Sequence, residues 1–576
     1  MRLSSLKSLA LLLFVTGANS STAIAQTASQ LTPPTYEPQT FRRGGFTVPE
    51  TVGLATPVGA EKLRVRLSGL AVAGGLPELA AVSAALDATL IDREITGAEL
   101  FAAARELEAA YVAAGFVLVR VVLPPQKLVN GSRLKLRVVD GFIERVETKD
   151  LPERVRGRIA SLLEPLVGRR GLKLSEIERR VLFASDTPGV LFRSTLAPGK
   201  EEGGTLLVVE AKHQAIMGSV NADNSLSKAL GRTAPGVGVD LNSVAGRGEQ
   251  AYLRAGGVSN FSSDGFFARY PLNRSLAAGF SMPLWLDGLS FNAEYTDART
   301  TPLATSGVQT TDTFRRLALR VRYAWVRARN MNFNSEVALD VEDDLQSLFV
   351  AGVPTGLSLD RLRVLRIVND GDMLTPWGGI ISGKLTLSQG LDALGARSLA
   401  DASPVLPLSR QGATAAYQKA EISLGYGQTL AQHMAANVSL RAQTSFNQPL
   451  LHAEQFGIAN TSGVSAFDSG AVTGDSGYVV RGEISSPWRI PYPALKITVT
   501  ASPYAFGSFG AVGLANPTAL EKSSTRATSA GLGLRFNGAP SGTLGNASLN
   551  LEYGRSTRSD GGTAGNRFTI AATLKF

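Results

Sequence analysis

Few residues in this chain could carry acid–base or metal chemistry, and they do not cluster. The three histidines, His213, His433 and His452, stand far apart, with no acid or nucleophile at a useful spacing. Cysteine is absent, which removes disulfides, thiolate ligands and thiol nucleophiles. No Gly-x-Ser-x-Gly elbow and no phosphate-cradling glycine loop occurs. The sequence therefore offers no catalytic, cofactor or metal site and does not read as an enzyme. Its charges instead recur with a period of two. Arg316, Arg320 and Arg322 alternate with Leu317, Leu319, Val321 and Tyr323; Arg481 and Glu483 alternate with Tyr478, Val480 and Ile484. In an extended strand that period puts charge on one face and apolar side chains on the other. The chemistry on offer is that of a wet, charged wall backed by an apolar one.

Strands must carry such faces, and Arg567–Phe576 is the clearest. Phe568, Ile570, Ala572, Leu574 and Phe576 fall on one side, and Arg567, Thr569, Ala571, Thr573 and Lys575 on the other. A strand tilted across a bilayer needs roughly 9–11 residues. An ordinary half-buried strand would alternate in the same way, so the rest of the chain decides. The pattern returns at Leu289–Thr296, at Asn437–Thr444, around Ile497, over Leu532–Phe536 and over Leu549–Tyr553. A soluble sandwich would turn its polar faces outward around a finite core, whereas a membrane barrel turns its apolar faces outward. In lipid no edge can stay unpaired, so the last strand must meet the first. Phe568, Ile570, Leu574 and Phe576 are accordingly assigned to a barrel-closing strand.

Composition agrees. Glycine is abundant at 60 residues and only 18% of the chain is charged, which suits a β protein better than a charged cytosolic enzyme. The net charge of +10 could suggest nucleic acid, but the arginines are spread over strands. A basic channel lining or outer-membrane surface accounts for them as well, and no nucleic-acid partner is expected. Arg2 and Lys7, the apolar run Leu9–Val15 and Ala23-Ile24-Ala25 read as a secretory signal over residues 1–25, cut before Gln26. Residues 26–60, rich in Pro, Thr and Gly and without periodicity, read as a flexible leader with no visible helix.

Between leader and strands lie two α/β modules, expected at residues 61–140 and 141–213. In the first, Leu63–Leu67 alternates as a strand, and Leu100, Ala104, Leu107 and Tyr111 share one face of a helix over Gly97–Ala114. Gly115 stands at the C-cap position, Val117–Leu123 is a strand stopped by Pro124-Pro125, and Asn130-Gly131 turns into Leu134–Val138. In the second, Phe142–Thr148 is a strand, Ser175 opens a helix with Glu178 at the capping-box spacing, and Thr205–Val209 closes the module.

This layout resembles the two-partner secretion transporters, the TpsB family that exports haemolysins and filamentous haemagglutinins. Tyr111-x-x-x-Gly115-Phe116, Leu123-Pro124, Gln126, Gly131 and Val138-x-Asp140-Gly141 resemble the family's first POTRA domain, and Asp186-x-Pro188-Gly189 and Leu196-x-Pro198-Gly199 its second. Asp223-Asn224, Leu241-Asn242 and Gly246-x-Gly248-Glu249 resemble its first barrel hairpin. The resemblance implies a mainly β protein: a sixteen-stranded transmembrane β-barrel over residues 214–576, preceded by two periplasmic POTRA domains. It implies localisation in the outer membrane of a Gram-negative bacterium, in contact with outer-membrane lipid, after insertion by the barrel-assembly machinery. It also implies a partner, a secreted exoprotein with an amino-terminal secretion domain, exported unfolded without nucleotide. The alternative within the superfamily is a barrel-assembly factor, which usually carries more than two POTRA modules. A passive porin would lack the periplasmic arm.

The family's signature is a loop folded into the pore, whose Val-Arg-Gly-Phe/Tyr carries an arginine that meets an aspartate on the wall. Val480-Arg481-Gly482-Glu483 mimics it but alternates as a strand, with Arg481 and Glu483 expected to face the lumen. The loop is better anchored by Glu454-Gln455-Phe456 and Gly474-Asp475-x-Gly477, which places the signature at Val464-Ser465-Ala466-Phe467. The partner strand's Phe-x-Asp-x-Gly falls on Phe506, Ser508 and Gly510. Ser465 and Ser508 thus stand where the arginine and aspartate belong. The expectation is two hydroxyls facing each other in place of an ion pair.

Overall fold

The computed structural model describes residues 27–32, 36, 46–47, 55–258, 265–304, 307–562 and 564–576. The signal segment expected at residues 1–25 lies outside them.

Tyr111, Leu100 and Leu107 hold the first α/β unit together, buried against Leu134 and Leu136. Helices Ala80–Leu90 and Gly97–Ala113 lie on a sheet ordered Gly69–Ala73, Arg133–Val139, Arg120–Val122. Thr96 and Glu99 cap the second helix in a reciprocal box, and Gly115 follows it with φ +95°. The helix Ala80–Leu90 gives almost no stripe in the sequence, because alanine fills both its faces. In the second unit, helices Glu153–Leu163 and Leu174–Ser185 pack on Phe142–Glu147, Gly204–His213 and Val190–Pro198. The capping box expected at Ser175 and Glu178 does not form. The helix begins one residue earlier, and the Leu174 N–H donates to Gly115 O of the first unit at 2.7 Å, a cap that only tertiary contact supplies. Val117 and Leu118 of the first unit sit in the core of the second, so the two are one packed arm.

From Ile216 onward every long element is a strand. Sixteen antiparallel strands close into a barrel, and the last, Gly565–Lys575, pairs with both Asn546–Arg558 and the first, Ile216–Asp223. The twelfth strand is broken at Ser486-Pro487. Its pieces Ser476–Ser485 and Trp488–Tyr492 share one neighbour, Ile497–Gly513, and Pro487 has no N–H to give to a ladder. Burial is inverted relative to a soluble sandwich. Leu317, Leu319, Val321, Ile484, Phe509, Phe568, Ile570, Leu574 and Phe576 are exposed on the outside, while Asn292, Glu294, Arg316, Arg320, Arg481 and Glu552 are buried within. All four tryptophans, Trp285, Trp325, Trp377 and Trp488, are exposed at the barrel end that carries the α/β arm. A belt of this kind marks a membrane interface.

The arm is docked on that rim by charge. Arg327, wholly buried, donates Nε and Nη2 to both carboxylate oxygens of Asp186 at 2.7 and 2.8 Å. Arg329 bonds Glu178, Arg180 bonds Asp287, and Arg179 donates to the carbonyls of Ala324 and Trp325.

The leader corrects the sequence reading. Ala28–Leu31 is a short helix with a Thr27–Gln30 capping box, packed inside the barrel against Ala298 and Phe314, and the Ala28 N–H donates to Asp312 Oδ2 at 2.6 Å. Phe46–Thr47 adds in parallel to Ser194–Thr195 of the second unit. Four residues are too few to show a helical period, although Thr27 and Gln30 carry the capping spacing.

Deleting Arg567–Phe576 should abolish heat-modifiable migration of the chain, because the first strand then has no partner in lipid. A truncated chain that still migrates as a folded barrel would contradict this.

Candidate functional site

The eleventh strand, Met434–Thr444, does not turn directly into the twelfth. The chain between them folds back into the lumen as a hairpin, with Phe456–Gly457 paired to Thr473–Gly474. Apolar packing fixes it. Phe456, Ile458, Val464, Phe467 and Val472 form one cluster with Val479, Val512 and Ala527 of the wall. Two glycines make the fit possible. A Cβ at Gly463 would stand 2.5 Å or less from a carbonyl, at 2.4 Å from Ile458 O, and one at Gly510 would stand 2.6 Å from Tyr478 O and 3.2 Å from Ile458 Cδ1.

The two feet of the loop are charged and almost fully buried. Glu454 accepts from Arg366 Nη2 and pairs with Lys419 Nζ, both at 2.6 Å. Asp475 pairs with Arg410 of the preceding surface loop and accepts the N–H of Leu450 at 3.0 Å and of Ala515 at 2.7 Å. Removing Glu454 would take the carboxylate from buried Lys419, and removing Asp475 would take it from buried Arg410, which costs about 3–5 kcal/mol in comparable cases.

The tip differs. Ser465 inserts its hydroxyl into an ion pair carried by the wall alone. Arg481 Nη2 donates to Glu552 Oε2 at 2.6 Å, Arg481 Nη1 donates to Ser465 Oγ at 2.9 Å, and Ser465 Oγ in turn bonds Glu552 Oε1. Glu552 also accepts from Tyr504 OH at 2.9 Å, Arg481 Nε donates to Glu483 Oε1 at 2.8 Å, and the guanidinium lies 4.1 Å above the Phe506 ring. Val464, Ala466 and Phe467 are buried beside it.

The expected meeting of Ser465 with Ser508 is not made. Ser508 lies next to Arg481 in the strand register but bonds Ser529 Oγ at 2.8 Å. The charge pair is therefore not lost with the two serines; cation and anion both stand on the wall, and the loop supplies a neutral group. Arg481 and Glu483 face the lumen from the strand Ser476–Ser485. The strand period revealed that facing, but nothing local showed that Glu552, Arg410, Arg366 or Lys419 would come to the loop, since each arrives from another strand or loop. The histidines take no part in common: His213 bonds Asn242 O, His433 stacks on Trp488, and His452 lies in the turn before Glu454.

A loop folded inside a closed barrel, behind an α/β arm, is the arrangement that the comparisons with known proteins bear on. A model of the haemolysin secretion/activation proteins ShlB/FhaC/HecB matches residues 203–536, and one of the ShlB-type POTRA domain matches residues 74–141. The chain belongs to this family. The outer membrane transporter CdiB of Dickeya dadantii is 25% identical over 390 residues, which cover 66% of this chain and 65% of that relative. The haemolysin transporter HpmB of Proteus mirabilis is 22% identical over 70% of this chain and 68% of its own. The solved structure of CdiB from Escherichia coli is 19% identical and superposes with a TM-score of 0.67, covering 100% of this chain and 98% of that one. This family member is thus an outer-membrane β-barrel with its POTRA arm on the periplasmic side, the side of the tryptophan belt.

Because the wall pair survives without the tip, Ser465→Ala should cost little, about 1 kcal/mol for each hydrogen bond lost. Arg481→Ala leaves Glu552 buried without its cation and should cost about 3–5 kcal/mol. Urea unfolding of the full-length chain in detergent measures both, and equal costs would contradict the arrangement.

Proposed function

We propose that this family member exports a partner exoprotein across the outer membrane without nucleotide. It takes the client unfolded from the periplasm through two POTRA domains, residues 61–140 and 141–213, and passes it along the lumen of residues 214–576. The observation that carries this reading is the mode of attachment of the loop. Ser465 meets the buried Arg481–Glu552 pair with a hydroxyl and no charge, so the tip can leave without stranding that pair. In this reading Val464, Ser465, Ala466 and Phe467 are the movable pore-loop motif. Phe506, Ser508 and Gly510 line the strand it rests on, and Phe568, Ile570, Leu574 and Phe576 belong to the strand that closes the wall.

Among the described residues, the edge strand Val190–Pro198 is flanked over Ser194–Thr195 alone, by the two-residue strand of the leader. The rest of that edge suits an extended client, which can add there as a strand through main-chain hydrogen bonds that read little sequence. The client is then a secreted protein with an amino-terminal secretion domain, and folding outside the cell supplies the drive. The chain itself reaches the membrane through removal of residues 1–25 and insertion by the barrel-assembly machinery.

Co-expression with a candidate client that carries an amino-terminal secretion domain should place that client in the medium only when this chain is present. Deleting residues 457–473 should raise single-channel conductance several-fold and reduce export. Unchanged conductance and unchanged export would overturn the role of the loop.

A further inference from the structure

The wall is weakest where it closes. The ladder between the first and last strands runs only over Ser219–Asp223 and Ala571–Lys575. The neighbouring ladders run over Ile216–Asp223 and over Asn546–Ser556. At the periplasmic end the seam is completed by the main chains of Gly218 and Phe576, which exchange hydrogen bonds at 2.8 and 2.9 Å. At the extracellular end one main-chain bond, from the Asn224 N–H to Ile570 O at 3.2 Å, ends the pairing, and side chains carry it on. Asn224 donates Nδ2 to Phe568 O and accepts the Ile570 N–H at Oδ1, both at 2.9 Å, so that its amide imitates one more strand residue. Beyond it, Arg567 of the last strand reaches across and donates Nη2 to Asn224 O and to Leu226 O.

The pore loop lies on this same stretch from the inside. Arg567 Nη1 bonds Asp468 of the loop, and the Ser469 N–H donates to Ser225 O at 2.9 Å. Close by, Ser556 Oγ donates to Ala466 O at 3.2 Å and Arg558 Nη1 to Ala471 O at 3.3 Å. One guanidinium thus holds the loop with one nitrogen and the first strand's continuation with the other. A planar fork fixes both directions at once, because rotating it to follow one partner turns it away from the other.

We propose that Arg567 and Asp468 couple the pore loop to the seam, so that withdrawal of the loop loosens the extracellular half of the junction between first and last strands. The coupling rests on the reading of the loop as a movable element. When the loop leaves, Arg567 loses the carboxylate that orients it and Ser225 loses its donor. The junction above Asp223 is then held by Asn224 and a guanidinium free to turn toward water. Arg567 is in this sense a positioning residue, acting through the loop and the backbone of residues 224–226.

The test uses the full-length barrel in detergent. Asp468→Asn keeps the shape of a part-exposed side chain and removes only its charge, so folding is not threatened, and heat-modifiable migration confirms it. Backbone hydrogen exchange should speed up about tenfold or more in peptides covering 216–226 and 565–576, the change expected for losing a charge-assisted hydrogen bond. Exchange in Met331–Val350, far from the seam, should stay as in the unsubstituted chain. Arg567→Gln should give the same pattern, and the double substitution should add little to either. Conductance recorded on the same samples separates the two readings. If conductance rises while seam exchange is unchanged, the loop moves but is not coupled, and the proposal falls. If seam exchange rises and deletion of residues 457–473 leaves conductance unchanged, the gate reading falls and the clamp stands. No change in seam exchange in either single variant overturns the coupling outright.

Discussion

A backbone N–H or C=O in hydrocarbon has no water to turn to, and the wall of this protein answers by pairing its strands into one closed ladder. Closure follows from that constraint, since any free edge would expose a row of them. So does the inverted burial, with leucine, valine and phenylalanine outward and arginine, glutamate and asparagine inward. The constraint bears hardest on the one junction that chain connectivity does not help, where first and last strands meet. There the main-chain ladder is short, and the amide of Asn224 and the guanidinium of Arg567 extend it.

Inside the wall, several buried arginines are paired with carboxylates. Arg366 serves Asp340 and Glu454, Arg322 serves Asp370, and Arg481 serves Glu552. A buried charge that loses its partner costs about 3–5 kcal/mol. This makes the contrast within the pore loop informative. Its feet, Glu454 and Asp475, are bound to buried cations and so are fixed parts of the wall. Its tip offers the wall a serine hydroxyl, which water can replace at about 1 kcal/mol. A hairpin anchored at its base can swing without stranding a fully buried charge, because the ion pair that the loop itself makes near its tip, Asp468 with Arg567, lies partly in solvent.

The periplasmic arm is tied to this wall as firmly as its two units are tied to each other. Val117 and Leu118 cross from one unit into the core of the next, and Arg327 spends its whole guanidinium on Asp186 and the rim. The leader visits both regions. Its helix lies in the lumen beside Phe314, and Phe46–Thr47 lies on the sheet of the second unit. A chain that touches lumen and arm in turn follows the path that an exported polypeptide would have to take.

Much of this was legible in the sequence because it is local. A period of two is a property of neighbouring residues, so it reported the strands, their lumenal and outer faces, and the lumenal placing of Arg481 and Glu483. The helix Gly97–Ala113 and its glycine cap were equally plain. Helix Ala80–Leu90 was not, because alanine on both faces leaves no stripe, and the start of helix Leu174–Ser185 was misplaced because its cap is a carbonyl of another unit. Which charges meet was beyond the sequence altogether. Position in a motif pairs Ser465 with Ser508, yet Ser508 is held by Ser529 and Ser465 by Arg481 and Glu552. Partner choice in a lumen depends on how strands are ordered and staggered around a closed wall. Those are distances across the barrel, which residues far apart in the chain acquire only when it closes.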